Sequence, residues 1–278
     1  MIPCRETPQG ILLSRSEEFE PSQILDCGQC FRWDPDPDGG WAGIAMDRRL
    51  RLSPQPEGWL FEDVRIDEFE RIWIPYFDLD RDYSAIRADL SARHEILAKA
   101  AAFAPGIRIL CQDPWEALCS FIISQNNNIP RTKGIVARLC AHFGENGKFP
   151  GPERLAGLSV EDLAPLRSGF RAKYILSASR LVSDGTVDLQ AIRTLPLPQA
   201  RASLMQILGV GVKVAECALL YGFHRLDAFP IDVWMKRAMD RYFPGMEPDE
   251  FGPYAGIAQQ YIFHYIRSLE KTAGKNPR

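Results

Sequence analysis

No stretch of this 278-residue chain approaches the ~18 consecutive apolar residues that suggest a membrane span, so no membrane partner is expected. The opening segment MIPCRETPQGILLSR lacks a positive region followed by an apolar one, and no secretory signal is expected. Cysteine is sparse and unpatterned. The seven are odd in number and show no framework spacing. A reduced, intracellular protein is the simpler reading, in the cytoplasm or nucleoid of a prokaryote or the nucleus of a eukaryote. Cys27-x-x-Cys30 has neither a second such pair nor a nearby histidine to complete a zinc site, and the four histidines, at 94, 142, 224 and 264, show no ligand spacing. Positive charge is not in excess. A formal net charge of −3 excludes grip on nucleic acid through bulk charge, but it leaves open a local basic face. There is no internal repeat and no long low-complexity tract. What remains is ordinary for a globular protein: 46% hydrophobic and 25% charged, with enough chain for a sizeable core in one or two domains.

The pattern changes once along the chain. Up to about residue 65, the short runs GILLSR, CFRW, WAGIAM, RRLRLS and GWLFED alternate with turn-rich DPDPDGG and SPQPEG, which predicts an antiparallel meander. From Asp67 onward the spacing is helical. Asp113-Pro114 is a cap followed by a first-turn proline. Asn128 can cap the next helix, whose apolar face is Ile135, Val136, Leu139, Cys140 and Phe143 and which Gly144 ends. Ser159 and Asp162 have the spacing of a capping box. The predicted fold class is α+β: an N-terminal antiparallel sheet domain with flanking helices over residues 1–105, then a mostly helical body over 106–278.

Within that body the segment ARASLMQILGVGVKVAECALLYGF carries the strongest signal. Leu204, Ile207 and Leu208 give a first helix its apolar side, and Gly209 and Gly211 break it. Val214, Cys217, Ala218 and Tyr221 then give a second helix its own face, so a helical hairpin is predicted over about 198–222. The free N–H groups of such a turn, together with the second helix's N-terminus, form a site for one phosphate, which positions a nucleic-acid backbone without reading its sequence. An ordinary hairpin would account for the two glycines alone. Lys213 is less ordinary, because it stands in the first turn, at the positive end of the helix dipole, where lysine is disfavoured. A positive helix end and partial burial both favour a neutral amine, which is a nucleophile. Asp232, in AFPIDVWMKRAM, reads as the N-cap of a helix from Val233 to Tyr242. A rigidly held capping carboxylate is also suited to stabilise a developing cation, so the two roles are compatible.

The segment Ile207–Tyr242 resembles the helix-hairpin-helix DNA glycosylase superfamily, whose hairpin is followed by a Gly/Pro segment ending in the catalytic aspartate. More closely, the chain resembles the 8-oxoguanine DNA glycosylase/lyases of the Ogg1 type, in at least five segments covering most of its length. The resemblance implies Lys213 and Asp232 as catalytic residues. CGQCFRW implies Gly28 as the residue whose carbonyl accepts the N7–H that 8-oxoguanine has and guanine lacks. GPYAGIAQQYIF implies Gln259 and Phe263, one helical turn apart, as the residues holding the base, with Cys217 as the wall on its other face. SFIISQNNNIPR implies Asn126 and Arg131, and SGFRAKY implies Arg171, as contacts to the orphaned cytosine, while Phe170 is implied as the aromatic wedge. Gly209 and Gly211 shape the phosphate-binding turn. There are three departures: Leu208 where the family often has proline, Trp234 where relatives often carry histidine, and Phe170 without the hydroxyl of a tyrosine.

The implied reaction is excision of 8-oxoguanine, and of ring-opened guanine, opposite cytosine in double-stranded DNA. It runs through a Lys213 Schiff base with β-elimination, in a monomer and without a cofactor. The hairpin carbonyls are a candidate site for a monovalent cation. No cysteine follows Cys217, which excludes the four-cysteine iron–sulfur cluster of other superfamily members. Two alternatives stay open at this point: a monofunctional alkylbase glycosylase, which lacks the hairpin lysine, and a non-catalytic DNA-binding module built on the same hairpin.

Overall fold

Turn residues cut the N-terminal part into six short strands: β1 (Cys4–Thr7), β2 (Gly10–Ser14), β3 (Trp33–Pro35), β4 (Trp41–Ala45), β5 (Arg48–Gln55) and β6 (Gly58–Glu62), with the short helix α1 (Pro21–Leu25) between β2 and β3. In the computed structural model, which describes residues 2–273, these strands form one antiparallel sheet in the order β1-β2-β6-β5-β4-β3. Its register sets Ile11, Phe61, Leu52 and Trp41 side by side across four strands, all buried. A helical passage follows in three pieces, α2 (Ile66–Glu68), a π-helical turn Phe69–Trp73 and α3 (Ile74–Tyr76). It lays Phe69 and Phe77 edge-on against Phe61, at ring-centroid distances of 5.0 and 5.6 Å. The sheet therefore has an aromatic core, a geometry that adds stabilisation beyond area burial.

The rest is helical: α4 (Tyr83–Arg93), α5 (Glu95–Phe103), α6 (Pro114–Ser124), α7 (Ile129–Phe143), α8 (Pro152–Ala156), α9 (Arg171–Ser183), α10 (Leu189–Ile192), α11 (Leu197–Leu204), α12 (Val212–Tyr221), α13 (Val233–Tyr242) and α14 (Ala255–Ala273). Helix α6 is the centre of this body. Leu118, Cys119, Ile122 and Ile123 on it are fully buried. Its cap is the expected one, Asp113 accepting from the Glu116 amide at 2.9 Å, and Asn128 caps α7 through the Arg131 amide at 2.9 Å. Among the described residues no helix is long and apolar enough to cross a membrane.

Several expectations are corrected. The unit 1–105 mixes two cores: Tyr83, Ile86 and Leu90 of α4 and Leu97 and Ala100 of α5 belong to the helical core, because α5 packs against α14. In CFRW only Trp33 is strand, since Cys30 and Phe31 turn inward and Arg32 reaches Glu116 at 2.9 Å. The Ser159–Asp162 pair makes its reciprocal bonds but caps a turn rather than an α-helix. Strand β1 and helix α1 lack an apolar alternation and were not anticipated.

Buried polar side chains tie sheet to body. Arg108 is fully buried. Its guanidinium donates to the Glu18 carbonyl at 2.8 Å and to the Asp78 carbonyl, and it lies over the Tyr83 ring at 4.4 Å. Gln29, also fully buried, donates to the carbonyls of Ile24 (2.9 Å) and Arg108 (2.8 Å) and accepts from the Leu110 amide (2.9 Å). Such groups hold position because releasing any one of them leaves another buried and unpaired. Arg108→Met keeps a long stem but strands the Glu18 and Asp78 carbonyls. The expected cost is about 2–4 kcal/mol of stability in urea unfolding; an unchanged unfolding midpoint would remove Arg108 from this role.

Candidate active site

Helix α12 begins at Gly211, an extended N-cap with no side chain to satisfy the first-turn amides. Lys213 follows in that first turn, partly buried, with its Nζ 5.4 Å from the centre of the Phe121 ring. An aromatic face offsets part of the unfavourable dipole for a cation placed there. One turn on, the buried Cys217 touches Lys213. Burial pushes the Cys217 thiol up, and Lys213 pulls it the other way. Asp232 caps α13 as expected, its Oδ1 accepting from the Met235 amide at 2.8 Å.

These side chains line one pocket. Lys213, Asp232 and Cys217 share it with Gly28, Gln259 and Phe263. Gly28 adopts φ +89°, a conformation open to glycine at no steric cost. Gln259 is buried on α14, and Phe263 is half-buried a turn later with the Arg267 guanidinium 5.9 Å from its ring centre. The pocket is open to the surface and offers about 50 Å³ of water-accessible space in the free protein.

Five further lining residues escaped sequence reasoning: Cys27, Phe121, Tyr221, Pro230 and Gln260. Phe121 and Tyr221, stacked at 5.3 Å, read as ordinary core. The signal available for Tyr221 was its spacing of four and eight residues from Cys217 and Lys213, on one helix face. For Gln260 it was a glutamine pair inside an otherwise apolar run.

The segments expected to face an opposite base lie beside one another at the α6–α7 turn and the start of α9. Asn126 is exposed with φ +46°, and Arg131 is exposed with its guanidinium unbonded among the described residues. Phe170 is 48% exposed and stands over Arg171, its ring centre 4.4 Å from the guanidinium. Arg171 itself corrects the expectation. It is buried, and four hydrogen bonds tie its guanidinium to the carbonyls of Gln125, Asn126 and Ser168. Only one of the five guanidinium N–H donors is left, so Arg171 holds the Asn126 loop here and could offer two bonds to a base only by releasing it.

In the hairpin, Leu204 and Ile207 are buried, but Leu208 is 53% exposed and does not belong to the apolar side assigned to it. Helix α11 has already ended at Leu204, so Leu208 lies in the turn facing outward, and its amide donates to Ser177 Oγ at 3.1 Å. The two glycines differ. Gly209 has φ +78°, and a Cβ there would meet the Tyr174 ring at 2.5 Å, whereas Gly211 faces open space.

Two family models match in tandem: "8-oxoguanine DNA glycosylase, N-terminal domain" over residues 11–118 and "HhH-GPD superfamily base excision DNA repair protein" over residues 119–250. A probable N-glycosylase/DNA lyase of Methanothermobacter thermautotrophicus is 34% identical over 200 residues, covering 58% of this chain and 64% of that protein. The N-glycosylase/DNA lyase of Saccharomyces cerevisiae is 38% identical over 273 residues, covering 84% of this chain and 70% of the yeast protein. Among solved structures, the Clostridium acetobutylicum 8-oxoguanine glycosylase/lyase, in complex with double-stranded DNA containing cytosine opposite 8-oxoguanine, superposes with a TM-score of 0.88. It is 34% identical, with 96% of this chain and 98% of that chain covered.

The glycine contrast is testable by thermal unfolding. Gly209→Ala is expected to cost roughly 2–4 kcal/mol from the positive φ and the ring contact, and Gly211→Ala less than about 0.5 kcal/mol. Equal losses would mean that Gly209 is not pinned by Tyr174.

Proposed function

This chain belongs to the 8-oxoguanine DNA glycosylase family, and we propose that it excises 8-oxoguanine opposite cytosine from duplex DNA and then cleaves the abasic strand as a lyase. The observation that carries this reading is the convergence of Lys213, Asp232, Gly28, Cys217, Gln259 and Phe263, far apart in sequence, on one pocket.

The steps follow from what each group can do. The hairpin amides and the α12 N-terminus hold a backbone phosphate. Extruding the nucleotide costs a few kcal/mol of stacking, offset by the pocket and by Phe170 entering the gap. Phe263 stacks on the base, while Gln259 bonds its Watson–Crick edge. The Gly28 carbonyl accepts N7–H, which a normal guanine cannot offer. Lys213, as the neutral amine, attacks C1′. The C1′–N9 bond breaks with its electron pair leaving on the base, which takes up a proton. Asp232 stabilises the positive charge that develops on the sugar. Loss of a proton from nitrogen and ring opening give the Schiff base. Removal of a C2′ proton then expels the 3′ phosphate by β-elimination. Asn126 and Arg131 contact the orphaned cytosine.

That one chain carries every residue in this scheme supports the reading of a monomer acting without a cofactor. Of the hairpin carbonyls, those of Ile207 and Gly211 already accept the Val210 and Ala215 amides. A monovalent cation at the turn would have to share them.

Duplexes carrying 8-oxoguanine opposite each of the four bases, with and without borohydride, test the proposal. The wild type is expected to excise best opposite cytosine and to be trapped covalently. Lys213→Gln should lose both activities and keep lesion binding; near-normal cleavage by that variant would refute the nucleophile assignment. Arg131→Ala is expected to relax the preference for cytosine without loss of stability, because its exposed side chain makes no hydrogen bond among the described residues. An unchanged opposite-base ranking would sink its role.

A further inference from the structure

Gln260 follows Gln259 on α14 in a run where Ile257, Ala258, Tyr261 and Ile262 are all fully buried. Gln260 is itself 1% exposed. A buried carboxamide is tolerated where its donors and acceptor find partners. The Tyr221 hydroxyl donates to the Gln260 Oε1 at 2.5 Å and lies a longer 3.4 Å from the Gln259 Oε1, and Gln260 Nε2 donates to the Cys27 carbonyl at 3.4 Å. Chemistry fixes this amide's orientation. The Cys27 carbonyl can only accept, so Nε2 must face it and Oε1 must face the phenol. Burial pushes the Tyr221 phenol well above its ordinary range, so it remains a donor.

The Cys27 carbonyl belongs to the peptide unit just before Gly28. On the far side, the unit carrying the Gln29 carbonyl accepts from Gln112 Nε2 at 2.6 Å. Two glutamine side chains thus tie the peptide units flanking Gly28, while the Gly28 carbonyl between them has no donor among the described residues. With planar peptides, fixing both neighbours leaves the middle unit little freedom. At the other end of the chain of bonds, Tyr221 stacks on Phe121, over which Lys213 lies.

We propose that Gln260, held by Tyr221, is a positioning residue that aims the Gly28 carbonyl at the lesion and so sets discrimination between 8-oxoguanine and guanine. This rests on the reading of Gly28 as the lesion-reading group. A preorganised acceptor distinguishes a donor at N7 from a lone pair only while its direction is held. A loop free to tilt gives up that distinction before it gives up binding. Gln260 touches no reacting atom in this scheme, and a preformed abasic site has no base for Gly28 to read.

The test compares wild type, Gln260→Met, Tyr221→Phe and the double variant. Gln260→Met keeps the volume and unbranched shape and removes both bonds. Two quantities are measured: single-turnover excision of 8-oxoguanine against guanine, each opposite cytosine, and borohydride trapping on a preformed abasic site. Gln260→Met should lower the 8-oxoguanine-to-guanine ratio by roughly tenfold or more while abasic trapping stays within about twofold of wild type. Tyr221→Phe should move the ratio in the same direction, and the double variant should lose no more than the worse single, since both act through one chain of bonds. Should Gln260→Met fail to fold, Gln260→Leu carries the test, because Tyr221→Phe also removes the contact to Gln259. An unchanged ratio overturns the proposal, and so does a parallel loss of abasic trapping, which would make Gln260 a general structural residue. A wild type that neither excises 8-oxoguanine nor traps would instead overturn the reading of the site itself.

Discussion

Two helix N-termini open onto the same pocket, and the site depends on that arrangement. Helix α12 presents its uncapped first turn with Lys213 in it, and α13 presents its first turn capped by Asp232. Both positive dipole ends favour anions and disfavour a cation. Asp232 satisfies one end. The other has no side-chain cap, and Lys213 stands in its first turn. No ion pair joins Lys213 to Asp232, and the amine's neighbours are an aromatic face and a buried thiol. That an amine and a helix-capping carboxylate line one pocket follows from where the chain starts two helices.

The sheet domain contributes through one loop. Its aromatic core is separate from the helical core, and buried polar side chains rather than apolar packing alone set the junction between them. Gln29 and Arg108 carry much of that registration, and they stand next to the loop bearing Gly28. The polar clamp that orients two layers also brings a sheet-domain carbonyl into a pocket made by the helical body.

Local signals were legible where local chemistry decides the outcome. Asp113, Asn128 and Asp232 were read as caps because a short polar acceptor ahead of a helical run has few other uses, and each accepts the amide expected of it. The Gly209–Gly211 break was legible for the same reason. Tertiary partners decided what was missed. Leu208 fits the helical period but follows the point where the helix ends, so it faces out. Arg171 was expected to face the orphaned cytosine, yet in the free protein the carbonyls of Gln125 and Asn126 from the α6–α7 turn and of the nearby Ser168 claim it. Gln260 and Tyr221 are hydrogen-bonded to each other, a pairing across two helices that no window of sequence contains. The family resemblance brought Gly28, Gln259 and Phe263 together before any contact was known, which spacing alone does not do.

The central claim is that the Lys213 amine forms the covalent bond to the sugar. The most direct measurement is peptide mapping by mass spectrometry after borohydride reduction of the wild-type protein on an 8-oxoguanine·cytosine duplex, followed by nuclease and protease digestion. The account predicts a reduced sugar remnant on the peptide containing Lys213 and on that side chain. A remnant on the N-terminal amine or another lysine, or strand cleavage with no protein adduct, would contradict it.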